Sequence, residues 1–499
     1  MRAPRSRVAS RWVIVALMSG IVLTGPGQAT ADGRVTNPVV EGPIGGGVQG
    51  RPWLSTIINL TLHGYVEEEY FFSGEAAASP MDALARVPYK SRMIVRRPAS
   101  PEDFNGTVLF EWLNVTAGAD LDSLWPWGHK EILSGGYAYV AITSQLVGVC
   151  CSPLSLKGWD PLRYATLVHP GDDYSYDIFV QGVQAVVHPD LNRTTWLDPT
   201  KVAPLSGLRP QRVIASGTSQ SAGRMTTYIN QWHAHDRLVD AYLMMRGGGP
   251  YPALDTPVLQ LNEEILAATQ EDSTFFRLWQ EAGTSHSPKA GWDQRWPQLA
   301  RDIGSQGLPN VVNVGCSINR GRVDYALDAA IFSVDQWLIN GTPPPTAPRL
   351  QTDDSGSLMR DENGLAVGGL RYSFIEVPTA LNTAEGCPLL GTFAPWDVDK
   401  VRALYPTQGD YLSAIDAWDD ALVAAGLLRP YDAEQDKAEA RLLDAWGKGS
   451  CHDTFNADGD EDGPASSALR SLTHQQPTPT SISAGLHDVS CNVVAAKGL

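Results

Sequence analysis

The segment Arg212-Val213-Ile214-Ala215-Ser216-Gly217-Thr218-Ser219-Gln220-Ser221-Ala222-Gly223 carries the reading of the whole chain. Val213 to Ser216 is uncharged and made of β-branched and small residues, the composition of a strand buried on both faces. Arg224 to Trp232 then reads as a helix. A strand that turns abruptly into a helix puts Ser219 at the apex. Such a turn needs small residues two before and two after the serine, because backbone and neighbours crowd together there. Gly217 and Ser221 fill those positions. The start of the helix directs N–H groups at the space over the serine, where negative charge develops on an attacked carbonyl oxygen, and the N–H of Gln220 is the natural donor. We therefore expect Ser219 to be a nucleophile.

The same pattern recurs at Gly283-Thr284-Ser285-His286-Ser287, so five residues alone decide little. The strand before this copy carries Arg277, Gln280 and Glu281, and Pro288 with Gly291 argues against a helix after it. Ser285 therefore ranks behind Ser219. So does Ser221, whose turn comes late relative to its strand. A purely structural turn is the remaining alternative.

A serine hydroxyl attacks poorly until a histidine takes its proton, and a carboxylate must orient that histidine and stabilise its charged form. On this kind of scaffold the order is serine, acid, histidine, on loops at the C-terminal ends of successive strands. Pro257 to Leu261 reads as a strand ending in Asn262-Glu263-Glu264, and Phe275 to Trp279 runs on through Glu281 to His286. His286 is the expected base. Glu264 is the expected acid, with Glu263, Asp272 and Asp255 behind it. Consecutive residues at a strand end point to opposite sides, so only one of the two glutamates faces the histidine. The plainer alternatives are a solvated loop carboxylate and a hydrogen-bonded surface histidine. His452, His474 and His487 have no strand leading to them.

Outward from the elbow, strand-like and helical runs alternate, which predicts a mostly parallel sheet flanked by helices. Trp53 to Leu62, Glu67 to Phe72 and Ser91 to Arg97 read as an antiparallel start. Thr107 to Trp112, Tyr137 to Thr143 and Ala241 to Met245 read as buried strands, and Tyr176 to Val187 and Asp324 to Ile339 as helices. The Pro-rich stretch Thr342 to Pro348 is a crossing to a mainly helical C-terminal extension or cap, with helices at Asp399 to Leu404, Tyr411 to Ala425 and Asp432 to Trp446. The expected division is a leader at 1–31, a core at 32–341, the helical extension at 342–446 and an irregular tail at 447–499.

Arg2, Arg5, Arg7 and Arg11 precede the uncharged run Trp12 to Gly25 and the small-residue site Ala29-Thr30-Ala31, the layout of an export signal cleaved near Ala31. Its apolar part is short of the roughly 20 residues a membrane span needs. Of 38 Lys+Arg in the 499-residue chain, loss of those four leaves 34 against 55 Asp+Glu. A mature charge of about −21 disfavours nucleic acid and anionic membranes. No later stretch is apolar enough to span a bilayer, so a secreted protein without integral membrane association is expected.

Six cysteines in an exported chain suggest disulfides. Cys451 with Cys491 would staple the tail, Cys316 with Cys387 would tie the core to its extension, and Cys150-Cys151 could close on themselves. None has metal-site spacing. Asp458-Gly459-Asp460-Glu461-Asp462-Gly463 begins like a calcium loop, but Leu469 stands where a bidentate glutamate is required, so a solvated loop and no bound metal or cofactor is expected. Gly247-Gly248-Gly249 reads as a turn. Trp125, Trp127, Trp292 and Trp296 read as packing before they read as a cleft.

The pieces Phe110-Glu111-Trp112-Leu113-Asn114-Val115, Gly136-Tyr137-Ala138-Tyr139-Val140, the Ser-Gln-Ser elbow, Arg277 to His286, Gly341-Thr342-Pro343-Pro344-Pro345 and Leu404-Tyr405-Pro406 together resemble the "α/β-hydrolase domain-containing" branch of the α/β-hydrolase superfamily, over Gly42 to Trp446. The resemblance implies the α/β-hydrolase fold, Ser219 as nucleophile, Glu264 as acid and His286 as base. It also implies a second oxyanion N–H after the Asn114 strand, for which Val115 is the choice. A carboxylesterase acting on a small-molecule or lipid-like ester is the expected function. Acyltransferase or amidase use of the same triad, and a binding protein on a hydrolase scaffold, are the alternatives. A shared fold does not transfer a substrate.

Overall fold

The sheet begins with three antiparallel neighbours, β1 (Val39–Glu41), β2 (Tyr65–Ala77) and β3 (Arg86–Pro98). β4 (Thr107–Trp112) and β5 (Ala138–Ile142) follow, and β3 pairs antiparallel with β5. From there every pairing is parallel, through β6 (Arg212–Thr218), β7 (Ala241–Met245), β8 (Val258–Asn262) and β9 (Phe276–Gln280). The nine strands lie in the order β1-β2-β3-β5-β4-β6-β7-β8-β9. This is the mostly parallel, helix-flanked sheet that the alternating pattern predicts. The computed structural model describes residues 35–81, 85–195, 200–265, 270–304, 316–443 and 445–446. The leader, the Cys451–Cys491 pairing, the acidic loop from Asp458 and the three late histidines lie outside the described residues.

Helices cover both faces. In chain order they are α1 (Leu124–Ser134), the single turns α2 (Leu146–Val149) and α3 (Leu156–Trp159), α4 (Ser175–Val187), α5 (Gln220–Gln231), the short α6 (His233–Asp236), α7 (Lys289–Ile303) and α8 (Val323–Asn340). Side chains alternate across a strand, so the core splits in two. Leu109, Ile214, Leu243 and Leu259 pack with Leu124 and Ile132 of α1 and Leu327 and Ile331 of α8. Phe110, Ala215, Tyr242 and Val258 pack with Ile178 and Phe179 of α4 and Met225 and Tyr228 of α5. Glu111 fixes α1 to the sheet: its Oε1 accepts the N–H groups of Ser123 and Leu124 at 2.6 and 3.0 Å, and its Oε2 accepts the Tyr139 hydroxyl at 2.6 Å.

The C-terminal region holds α9 (Ser373–Glu376), an antiparallel hairpin of β10 (Ala380–Cys387) and β11 (Gly391–Pro395), α10 (Val398–Leu404), α11 (Gln408–Ala424) and α12 (Pro430–Ala440). Polar contacts dock α12 and the residue before it on α1. Arg429 and the Tyr431 hydroxyl reach Glu131 at 2.9 and 2.8 Å, and Asp432 reaches Lys130 at 2.5 Å. Cys316 is bonded to Cys387 and Cys150 to Cys151. No helix among the described residues is long and apolar enough to cross a membrane.

Two expectations change. Trp53 to Leu62 is an irregular segment ending in a 3-10 turn at Leu60–His63, not a strand. The Trp53 backbone N–H goes to the Tyr164 hydroxyl at 2.9 Å and its indole N–H to the Asp120 carbonyl at 2.8 Å, so these donors are satisfied without a ladder. A 15-residue helix, α7, does follow Pro288. Proline just outside a first turn forfeits no intrahelical hydrogen bond. Gly291 within it faces Trp127, where a Cβ would come 2.6 Å from Nε1. Trp125 and Trp127 are buried in the packing beneath, as expected.

Candidate active site

Thr218 is the last residue of β6, and Ser219 caps α5 with φ 57 and ψ −115. A positive φ is strained for any residue with a Cβ, and here it turns a buried strand into a helix within one residue. The neighbours explain the demand for small side chains. A Cβ on Gly217 would lie 2.6 Å from the Ser221 carbonyl oxygen and 2.8 Å from Met225 Cγ. Ser221 is fully buried, accepts the Thr218 N–H at 2.9 Å and donates to the Thr218 carbonyl at 3.0 Å, so its hydroxyl braces the turn. Ser285 is fully buried too. Ser219 itself is partly exposed.

Register places the other groups. β6, β7, β8 and β9 are successive parallel neighbours, with Thr218 opposite Met245, Met245 opposite Leu261, and Asn262 opposite Gln280. Ser219, Arg246, Glu263 and Glu281 are therefore the first residues beyond four adjacent strand ends, all on the C-terminal edge of the sheet. The Ser219 N–H bonds the Met245 carbonyl at 2.9 Å. The loop after β9 brings back His286, whose Nδ1 lies 2.6 Å from Glu263 Oε1. Glu263 is 1% exposed and His286 retains 17% side-chain exposure. Burial pushes the Glu263 carboxyl up, but the His286 hydrogen bond and the charge of Arg246 outweigh it and hold the group below the ordinary carboxylate range.

The structure thus brings Glu263, not the expected Glu264, to the histidine. Glu264 turns the other way. Its carboxylate accepts the Gly283 N–H at 2.6 Å, the Thr383 hydroxyl at 2.9 Å and Arg360 at 2.5 Å, and so ties the histidine loop to the C-terminal hairpin. Asp272 is paired with Arg349 and Asp255 with Arg237, each at 2.6 Å, away from His286. The histidine loop is braced further by Asn319, whose side chain meets the Gly283 carbonyl at 2.8 Å and the Ser285 N–H at 3.3 Å. The Ser287 N–H reaches the Leu389 carbonyl in the hairpin turn at 2.8 Å.

On the other flank, Asn114 Nδ2 donates to the Thr218 carbonyl at 2.9 Å and locks the loop after β4 to the elbow. The Val115 N–H in that loop faces Gln220 Oε1 at 3.4 Å. The Gln220 amide in turn donates to Gln145 at 3.0 Å, and Gln145 to Asp172 at 3.1 Å, which Arg224 holds at 2.8 Å. Sequence reasoning passed over Asn114, Gln145 and Arg246. The available signal was position, since each is polar and sits at or just beyond the C-terminal end of a buried strand. Among the described residues no group of three or more His, Cys, Asp or Glu side chains is arranged to hold a metal ion.

A comparison with curated proteins finds no match. Among solved structures, a study of two prolyl endopeptidases shares 10% identity over 42% of this chain and 31% of that one, with a TM-score of 0.23. A cold-adapted esterase from an Arctic intertidal metagenomic library shares 13% over 40% of this chain and 72% of that one, with a TM-score of 0.24. A Geobacillus stearothermophilus carboxylesterase, EST55, shares 14% over 32% and 30%, with a TM-score of 0.21. The chain spans less than a third of the first and third of these. A family model described as an alpha/beta hydrolase domain matches residues 40–438, and with that match and this sheet the chain belongs to the alpha/beta hydrolase domain family.

Proposed function

We propose that the protein is an exported serine hydrolase that cleaves carboxylic esters through an acyl-enzyme on Ser219. The observation that carries the reading is the pairing of His286 with buried Glu263 at 2.6 Å, on the same sheet edge as a serine held at φ 57. With its Nδ1–H committed to Glu263, the imidazole keeps Nε2 unprotonated to take the Ser219 proton. The alkoxide oxygen attacks the ester carbonyl. The resulting oxyanion is met by the N–H of Gln220, the first residue of α5, and by that of Val115, whose present acceptor, the Gln220 amide oxygen, the substrate oxygen replaces. His286 returns the proton to the departing alcohol. Water, deprotonated by the same nitrogen, then releases the acid and restores the serine. The export-signal layout of residues 1–31 and the two disulfides support export.

The test is labelling of the mature protein by a fluorophosphonate probe, with loss of the label in Ser219→Ala. Release of p-nitrophenol from short acyl esters by the wild type, abolished by the same substitution, is the expected companion result. A wild-type protein that takes up no probe would overturn the reading.

A further inference from the structure

Behind the Glu263–His286 pair lies a set of buried charges that the hydrolytic scheme leaves unused. Arg246, the first residue beyond β7, has φ 52 and a guanidinium 1% exposed. Its Nη1 donates to the carbonyl of Ser285, the residue before His286, and lies 3.8 Å from Glu263 Oε2, the oxygen that receives no hydrogen bond. Its Nη2, also without a hydrogen bond, lies 3.6 Å from Oε1 of Glu281, the first residue beyond β9. The Trp127 ring packs against the guanidinium at 5.4 Å and keeps water from that side.

One guanidinium therefore stands between two carboxyl groups at nearly equal range. Where water is excluded it cannot neutralise both, and like charges so close strongly disfavour joint ionisation. Glu263 has a hydrogen-bonding partner in His286. Glu281 is fully buried and neither oxygen closes a hydrogen bond of ordinary geometry, although the Thr284 hydroxyl lies beside it and favours its anion. Burial first, then the charge of Glu263, push Glu281 up to about 8, against the pull of Arg246. The other charged or titratable groups facing it are Asp324 of α8, already held by Arg322 and Lys130 at 2.9 and 3.2 Å, and the Tyr372 phenol, which donates to the Leu427 carbonyl.

We propose that Arg246 is a positioning residue for the Glu263–His286 pair and that Glu281 is its buried competitor, giving the site an alkaline limit. The inference rests on the hydrolase reading above. While Glu281 carries its proton, the charge of Arg246 serves Glu263, and its hydrogen bond fixes the backbone that presents His286. When Glu281 gives that proton to solvent, its anion draws the guanidinium away. Glu263 then loses its counter-charge, and the Ser285 carbonyl loses its donor.

The experiment compares wild type, Glu281→Gln and Arg246→Lys in two readouts between about pH 5 and 10. One is kcat/KM on p-nitrophenyl acetate. The other is the low-field proton resonance of the short Glu263–His286 hydrogen bond. The wild type should show an alkaline decline and a resonance inflection near the Glu281 value of about 8. Glu281→Gln should lose both and keep its acid limb. Arg246→Lys should lower kcat about tenfold or more with little change in KM, because a point charge cannot serve the carbonyl and the carboxylate together. An alkaline limb and inflection that persist unmoved in Glu281→Gln would overturn the proposal. Probe labelling of Ser219 separates the two readings. Labelling with no inflection sinks the competition alone, whereas a coupled inflection without labelling sinks the hydrolase reading and leaves the cluster standing.

Discussion

Glu263 and Glu264 are consecutive, yet their carboxylates serve different neighbours. Glu263 meets His286 at 2.6 Å, and Glu264 meets the Gly283 N–H and Arg360 at 2.6 and 2.5 Å. The two conservative substitutions should therefore part company. Glu263→Gln loses the charge that stabilises the imidazolium and should lower the kcat of its folded fraction about a thousandfold or more. Glu264→Gln should keep at least about a tenth of kcat and instead cost about 1–3 kcal/mol of stability, since it weakens a buried hydrogen-bonded ion pair. Steady-state kinetics with thermal melts of both variants settles the matter, and equal loss of kcat in the two would refute the assignment.

The two elbow serines make a second contrast. Ser221 bonds the Thr218 N–H and carbonyl at 2.9 and 3.0 Å, so Ser221→Ala strips a buried turn of both contacts and should cost about 1–2 kcal/mol. Its folded fraction should still take up a fluorophosphonate probe. Ser219→Ala should melt like the wild type and take up none. Probe uptake that vanishes only in Ser221→Ala would make Ser221 the nucleophile.

Much of this site was legible because its parts occupy fixed places on a periodic scaffold. The uncharged run Val213 to Ser216 reads as a buried strand, and the order of two further strands points to His286. The choice between Glu263 and Glu264 was not legible, because it depends on where the pleat of β8 ends. The structure continues the parity of Leu259 and Leu261 into Glu263, on the side of α1 and α8. Arg246 and Glu281 were invisible for a related reason. Each reads as an ordinary charge after a strand, and only the register of β7, β8 and β9 sets them side by side. Irregular segments misled in both directions. Trp53 to Leu62 is apolar enough for a strand yet has its polar groups met by side chains, and α7 starts beside a proline that does it no harm.

Glu111 makes stability depend on pH. Burial first, then the nearby Asp122 charge, raise its carboxyl to about 7 in the folded protein, against an ordinary value of 4.5. Between those values the folded state holds a proton that the unfolded chain has lost, so stability falls as pH rises through that window and levels off above it. Glu111→Gln presents a neutral group of the same shape to Ser123, Leu124 and Tyr139 at every pH. Its melting temperature should therefore gain on the wild type from about pH 5 to 7, by roughly 2–5 °C at the upper end. Melting curves that stay parallel across the window would rule this out.

Lys130 is one of the cations that hold α12 against the core, beside the Arg429–Glu131 pair. Its ammonium lies 2.5 Å from Asp432 of α12, and 3.2 and 3.7 Å from Asp324 and Asp328 of α8, with Asp328 fully buried and neither of its oxygens hydrogen-bonded. Lys130→Met leaves these carboxylates facing one another without that charge. Removing one partner of a buried ionic set costs about 3–5 kcal/mol, more than the apolar contact of the methionine returns. The loss should fall first on α12, which contributes Asp432, so limited proteolysis should cut within Pro430–Ala440 before it reaches the sheet. Two further results should accompany it. Lowering the pH from about 7 to 5 should shrink the deficit, because protonated carboxyls no longer repel. Asp328→Asn added to Lys130→Met should recover part of the stability by removing the charge with the fewest partners. A deficit that is constant with pH and untouched by the second substitution would mean that Lys130 acts through the packing of its stem and not through its charge.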